Sequence, residues 1–283
     1  PLYSSANRFL AMAEKGGQKF YLITDKDVSW DATVEGNISQ VFVNKNGYVA
    51  VVITGTLNKT VIKMYNPSGK AMFTQYLSTT RAIDVSISND NRYLAIAEID
   101  TSKTVLQSNV KIISIEKAEK NADDYLEKTY SSATGKLITN IRYQDKNKLV
   151  CMYTDGISVI ENDQENTLVD TKDKKIAFQS IDIDNNICYV EEKSSGLFTA
   201  DSVVNITNID NKSSKQYTVN YVAKEIFTNV DIIALNLGTD IEFINTGGWL
   251  VKRYVANQEI TNVVVSSNIA GIVYRDKIEI INL

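Results

Sequence analysis

The chain repeats one pattern of hydrophobic and polar positions. In residues 84–100 an alternating segment, DVSIS, is followed by a polar turn, NDNR, and by an almost continuous apolar run, YLAIAEID. Alternation predicts a strand with one buried face, and a continuous run of this length predicts a strand buried on both faces. Comparable apolar runs occur seven times, beginning at Phe9, Tyr48, Tyr93, Leu149, Ile187, Ile232 and Ala270.

The spacing of these runs predicts the fold class. Successive runs begin 39, 45, 56, 38, 45 and 38 residues apart, and a period of about 40 residues is typical of a four-stranded propeller blade. A third strand follows each run, and several blades add a polar fourth strand, as a solvated sheet edge requires. We therefore predict an all-β propeller of four-stranded antiparallel blades in one domain over 1–283. Seven blades fit best, with six and eight as alternatives.

Two segments depart from the regular repeat. IEKAEKNADDYLEKTY (115–130) predicts a helical insertion between the third and fourth strands of the third blade. The first blade lacks a clear inner strand and the last lacks an outer one, so PLYSS at 1–5 is expected to fill one of these places. In the tight turns, Gly47 and Asn91 take equivalent positions, and both residue types tolerate positive φ.

Composition narrows the function classes. The 283 residues include no histidine, which removes the commonest general base and metal ligand. The net charge is −4 without a Lys/Arg-rich cluster, which argues against nucleic acid as a partner. No apolar run reaches the roughly 18 residues of a membrane span. Because the chain starts at Pro1, we expect a trimmed or mature form, with a signal peptide and a membrane anchor as the alternatives for a segment removed upstream.

The two cysteines, Cys151 and Cys188, lie in apolar strand-like runs. We expect two small buried side chains, because free cysteine is among the most buried residue types. A disulfide is the alternative, and no C-x-x-C spacing supports a redox or zinc role.

The turn motifs carry a family resemblance. S-x-D-N-x-Y-L-A at 88–95 and N-K-N-G-Y-V-A at 44–50 resemble the S-x-D-G-x-x-hydrophobic-A motif of the TolB/WD40-like propeller superfamily. Within this superfamily, the chain is most similar to the uncharacterised clostridial DUF5711-type propeller domains. The residues that carry this similarity are Asp100-Thr101-Ser102, in the loop after YLAIAEI. This resemblance implies a propeller outside a bacterial cell, tethered to the membrane through an N-terminal anchor.

Inner-strand carboxylates are the candidates for a metal site. Asp84, Asp182 and Asp184 could converge on a central channel and hold Ca²⁺, which takes about six to eight oxygen ligands. The alternative is that they are solvated residues on the polar side of alternating strands. No Asp-x-Asp-x-Asp-Gly loop supports the metal site, no catalytic residue is indicated, and no cofactor is predicted, with Ca²⁺ left open.

The loops after the second strands are the candidates for partner binding. Three of them are long, at 54–60, 100–109 and 193–202, and they share a propeller face with the connections between blades. Exposed apolar groups on one rim are typical of a partner surface. The alternative is that these side chains fold back and cap the ends of the blades. The candidate residues are Leu57, Val105, Leu106, Leu197 and Phe198.

Two functions remain open. The first is a non-catalytic interaction module, monomeric and extracellular, that presents its loop-rich face to a protein or cell-wall component. The second is a metal-dependent enzyme or sensor for a carbohydrate or small molecule at the channel mouth. The sequence does not decide whether the chain is an enzyme, but it favours a protein without catalytic activity.

Overall fold

Seven antiparallel β-sheets follow one another along the chain, and the fold is the predicted seven-bladed β-propeller. The computed structural model describes residues 1–25, 27–102, 104–133, 135–144, 148–194, 196, 200–266 and 268–283. Within these residues six sheets have four strands and the last has three. The chain divides into two compact units, Pro1–Thr167 and Leu168–Leu283. The prediction of a single domain stays a prediction.

The first unit contains the first three sheets and most of the fourth. Each sheet keeps chain order, so that its first strand is the innermost one. The strands are β1 (Leu2–Ala6), β2 (Phe9–Ala13), β3 (Lys19–Thr24), β4 (Asp27–Thr33), β5 (Asn37–Val43), β6 (Val49–Thr54), β7 (Thr60–Tyr65), β8 (Ala71–Leu77), β9 (Thr80–Ile87), β10 (Tyr93–Asp100), β11 (Gln107–Ser114), β12 (Leu126–Ser131), β13 (Ile138–Tyr143), β14 (Leu149–Tyr153), β15 (Gly156–Glu161) and β16 (Gln164–Asp170), which crosses the unit boundary.

The second unit contains the last three sheets. Its strands are β17 (Ile176–Ile183), β18 (Asn186–Ser194), β19 (Ala200–Asn208), β20 (Ser214–Val219), β21 (Glu225–Asn229), β22 (Ile232–Asn236), β23 (Asp240–Asn245), β24 (Leu250–Val255), β25 (Asn262–Val265), β26 (Ile269–Val273) and β27 (Ile278–Asn282). The last sheet has the order β25-β26-β27 in the described residues, so the expected absence of its outer strand is confirmed there.

The hydrophobic core lies between successive sheets. In the first unit, Phe20 and Leu22 of the first sheet pack against Val41, Val51 and Tyr65 of the second. The predicted double burial is confirmed in β6 and β14, where nearly every side chain is buried. In the second unit, Phe243 of β23 packs against the last sheet through Ile272. Burial of each such side chain contributes about 1.5–3 kcal/mol.

A recurring N-x-x-G turn joins neighbouring strands. Asn44 Oδ1 accepts hydrogen bonds from the backbone N–H of the second and fourth residues after it, both at 3.0 Å. Asn66 and Asn245 repeat this arrangement. Gly47 and Asn91 have the predicted positive φ, at 83° and 61°. The turn chemistry therefore repeats along the chain with the strands.

The predicted helix over 115–130 is wrong in its extent. Helix α1 covers Ile115–Glu119, and Ser114 caps it by accepting from the backbone N–H of Lys117. Residues 126–131 form β12 instead, because they pair with β11 and fill the fourth position of the third sheet. No helix in the described ranges is long and apolar enough to cross a membrane.

The remaining sequence expectations concern the first strand and the cysteines. Residues Leu2–Ala6 pair with β2, so PLYSS supplies the inner strand of the first sheet. Cys151 and Cys188 are both buried and free, as expected for small core side chains. Burial raises the pKa of the Cys151 thiol well above its ordinary value and that of Cys188 to about 12.

Candidate functional site

The long loops of the first unit lie on the same face as the connections between its blades. The loop between β6 and β7 contacts the connection between β8 and β9, because Lys59 Nζ donates to the carbonyl oxygen of Thr79 at 2.9 Å. Ser78 Oγ donates to Asn58 Oδ1 at 2.8 Å in the same place. This face is called the connection face of the first unit. The sequence predicted that these loops and the connections between blades share one face.

Three apolar side chains on this face are exposed. Leu57 is exposed over its whole surface (107%), Val105 over 51% and Leu106 over 40%. They are called the apolar rim. The exposure of Leu57 shows that this side chain does not fold back as a cap. The three side chains therefore lie where a partner can reach them.

Hydrogen bonds join the two loops that carry the apolar rim. Lys59 Nζ, two residues after Leu57, donates to Thr101 Oγ1 in the loop between β10 and β11 at 2.9 Å. Asp100 Oδ1 accepts from Ser102 N and Oγ, at 2.9 and 2.6 Å, at the start of that loop. The Lys59 ammonium therefore brings the Leu57 loop against the loop that contains Val105 and Leu106.

A partly buried ion pair lies in the strands that carry the second of these loops. Glu98 in β10 is 1% exposed, accepts from Thr80 Oγ1 at 2.7 Å and pairs with Lys111 Nζ at 2.9 Å. Because these three residues belong to β9, β10 and β11, their contacts join the three strands next to this loop. Sequence reasoning missed this pair. The available signal was one carboxylate within an otherwise apolar run.

Two of the predicted partner-binding residues, Leu197 and Phe198, lie outside the described residues. Their loop connects β18 and β19 in the second unit. Their assignment stays a prediction.

The Asp84 carboxylate is buried and bonds to the backbone of two strands. Its side chain is buried, with Oδ1 accepting from the N–H of Val85 at 2.9 Å and Oδ2 from the N–H of Ile141 at 2.8 Å. Ile141 belongs to β13, so this carboxylate ties the third sheet to the fourth. Both oxygens are already engaged with backbone donors and fit a metal site poorly.

The other two candidate carboxylates belong to the second unit. Asp182 and Asp184 are exposed, and their backbone N–H groups donate to Ser180 Oγ at 3.1 Å and to the carbonyl oxygen of Val230 at 2.8 Å. Across the described ranges no three acidic or cysteine side chains are grouped so that they could hold a metal ion. The Ca²⁺ hypothesis and the channel-mouth enzyme therefore stay predictions without structural support.

A comparison with models of known protein families identifies the family of this chain. The model of a family of unknown function, DUF5711, matches residues 1–283. The chain belongs to this family. The sequence resemblance to DUF5711 domains is therefore confirmed, and the family description assigns no activity. No curated protein shows significant similarity to this DUF5711 chain.

Solved structures show the same fold at low sequence identity. Dihydro-heme d1 dehydrogenase NirN in complex with DHE aligns with a TM-score of 0.60 and 9% identity, over 94% of this chain and 57% of the other. The DUF5711 chain thus spans little more than half of that protein. BamB from Moraxella catarrhalis has a TM-score of 0.55 and 10% identity, over 98% and 83% of the two chains. The Pan2 WD40 domain of Neurospora crassa has 0.57 and 12%, over 96% and 84%. These similarities show the propeller fold alone.

Proposed function

We propose that this DUF5711 chain is a non-catalytic interaction module that binds a protein partner through the apolar rim of Leu57, Val105 and Leu106. The observation that carries the proposal is the full exposure of Leu57 on a loop that Lys59 joins to the Val105 and Leu106 loop. Single exposed apolar residues are common on protein surfaces. Three exposed apolar residues on two loops that a hydrogen bond connects favour a partner surface over scattered single residues.

The surroundings of the apolar rim suit a protein partner. Lys59, Asn58 and Thr101 supply polar groups beside the apolar side chains. A central apolar group bordered by polar residues is the usual anatomy of a protein interface. Burying one fully exposed leucine stabilises a complex by about 1.5–3 kcal/mol, so Leu57 can act as an anchor.

We place the module outside a bacterial cell, tethered through a segment beyond these residues, and expect it to act as a monomer. The support is the resemblance of the turn and loop motifs to those of membrane-anchored propeller domains. Localisation of a tagged full-length protein by protease accessibility in intact cells tests this placement. Digestion without lysis is the expected result, and protection from the protease would refute it.

The binding proposal is tested with a surface variant and a matched control. The variant combines Leu57→Ser, Val105→Ser and Leu106→Ser, and the control is Tyr76→Ser, which removes an exposed aromatic side chain from β8. Partners are crosslinked in source cells, identified by mass spectrometry, purified and titrated calorimetrically against each chain. We expect the triple variant to bind at least about tenfold more weakly and the control to bind normally. Equal binding by all three chains would refute the proposal.

A further inference from the structure

One Asn-Gly pair occurs in the sequence, at Asn46-Gly47, in the turn between β5 and β6. An asparagine before glycine is chemically labile, because a residue without a Cβ atom lets its backbone nitrogen approach the preceding side-chain amide closely. The Asn46 side chain is exposed, so that water reaches it. This turn lies at the opposite end of the second sheet from the loop that carries Leu57, because β5 and β6 are antiparallel.

The fold requires glycine at position 47. Gly47 has a φ of 83°, and a Cβ atom there would lie 2.8 Å from Cε1 of Phe9 in the first sheet. Any other residue would combine backbone strain with an overlap against this ring. The labile pair therefore follows from the packing of the turn against β2.

The Asn46 side-chain amide connects two neighbouring turns. Its Nδ2 donates to the carbonyl oxygen of Asn89 at 2.8 Å and to Oδ1 of Asn91 at 3.0 Å. Both acceptors lie in the turn between β9 and β10, in the third sheet. Asn44 adds to the same contact, because its Nδ2 donates to Asn91 Oδ1 at 2.7 Å. The amide that deamidation would destroy therefore joins the second sheet to the third.

Hydrogen bonds in the turn oppose the reaction. Gly47 N donates to the carbonyl oxygen of Asn44 at 3.0 Å, and it must lose that proton before it can attack. The leaving Nδ2 of Asn46 must also give up both of its acceptors in the third sheet. The reaction therefore passes through a locally opened turn, and its rate should follow the fraction of time that the turn is open.

We propose that Asn46 is a site of spontaneous deamidation and that its hydrogen bonds to Asn89 and Asn91 set the rate. Gly47 N loses its proton and forms a bond to Cγ of Asn46, the Cγ–Nδ2 bond breaks, and Nδ2 leaves with that proton as ammonia. Water then opens the cyclic imide to aspartate or isoaspartate. An aspartate carboxylate has no N–H to donate, and its negative charge lies against two oxygen acceptors. Deamidation therefore weakens the contact between the second and third sheets.

Peptide mapping by mass spectrometry tests the site and its control. The folded chain and the chain unfolded in guanidinium chloride are incubated in warm, mildly alkaline buffer, and conversion of Asn46 is followed with time. We expect conversion in the folded chain, at a lower rate than in the unfolded chain. Asn91→Gly should raise the folded-state rate about fivefold, because it removes one acceptor while glycine tolerates the positive φ of 61° at this position. Asn91→Asp keeps an acceptor oxygen and should leave the rate unchanged.

Hydrogen exchange measures the consequence of the modification. Asn46→Asp should speed exchange of the backbone N–H groups in the turns at 44–48 and 88–93. Asn166→Asp makes the same charge change at an exposed position of β16 and should not affect these turns. This comparison keeps the proposal testable if circular dichroism shows that Asn91→Gly fails to fold.

Three results would each overturn the proposal. The first is equal conversion of Asn46 in the folded and unfolded chains. The second is a folded Asn91→Gly chain that converts no faster than the unsubstituted chain. The third is unchanged hydrogen exchange in Asn46→Asp.

Discussion

The Asp84 carboxylate accepts a hydrogen bond from the backbone N–H of Ile141, 57 residues further along the chain, at 2.8 Å. Its second oxygen accepts from Val85 N. One buried side chain therefore joins the inner strands of the third and fourth sheets, where the sequence alone left a metal ligand and a solvated strand residue as alternatives.

Asp84→Ala is expected to destabilise the chain by about 2–4 kcal/mol, because it leaves buried N–H groups without an acceptor. Asp84→Asn keeps one acceptor oxygen and should cost less. Urea unfolding of the three chains measures these differences. Added Ca²⁺ should leave the melting temperature of the unsubstituted chain unchanged. A Ca²⁺-dependent rise that disappears in Asp84→Ala would support the metal hypothesis instead.

Gly69→Ala should be more destabilising than Gly16→Ala. Both glycines have positive φ, at 83° and 78°, so both substitutions carry backbone strain of about 1 kcal/mol. At Gly69 the added Cβ would also lie 3.0 Å from Cγ and Cδ2 of Trp30, whose Nε1 donates to the carbonyl oxygen of Pro67 at 2.9 Å. At Gly16 nothing lies within 4 Å. Equal unfolding free energies for the two variants would show that the Trp30 contact carries no cost.

Both thiols should be inert in the folded chain. Burial raises the pKa of Cys151 and Cys188, so the reactive thiolate is scarce and inaccessible at neutral pH. A chromogenic disulfide reagent should label neither cysteine under native conditions and both in urea. Rapid labelling of the native chain would contradict the buried positions.

The stability of the chain should fall in alkaline solution. Burial, with a hydrogen bond to Glu242, raises the pKa of Tyr217 to about 12. Burial also raises the pKa values of Tyr143 and Tyr153. A folded pKa above the unfolded value of about 10 gives stability that is complete below pH 10 and lost as the pH rises toward 12.

Denaturant titrations at several alkaline pH values measure this loss. Tyr217→Phe should reduce the pH dependence, since it removes one of the contributing phenols. A free energy of unfolding that stays constant from pH 9 to 12 would contradict the assignment.

The fold could be predicted because each blade is built from local signals. The apolar runs beginning at Phe9, Tyr93, Leu149 and Ile232 start at the same residues as β2, β10, β14 and β22. Continuous apolar runs identify strands covered on both faces, and the period of about 40 residues identifies the blade. The ends of the third blade were harder to predict, because the charges at 115–130 favour a helix while pairing with β11 makes 126–131 a strand.

The candidate site was less predictable because its contacts join residues that are far apart in the sequence. Leu57 and Val105 could be proposed from apolar residues in polar loops, and their exposure agrees with an accessible surface. The contact of Lys59 with Thr101 depends on the pairing between blades. No local pattern in the sequence encodes it.

Photocrosslinking from the apolar rim tests the central claim most directly. A photoreactive amino acid is placed at Leu57 or at Val105, and at Tyr76 on β8 as the matched exposed control. Irradiation in source cells should give one common adduct from positions 57 and 105 and none from position 76. Excess unlabelled chain should compete for this adduct, while the Leu57→Ser, Val105→Ser, Leu106→Ser variant should not. The same adducts from all three positions, or none from the rim, would contradict a partner-binding role for this face.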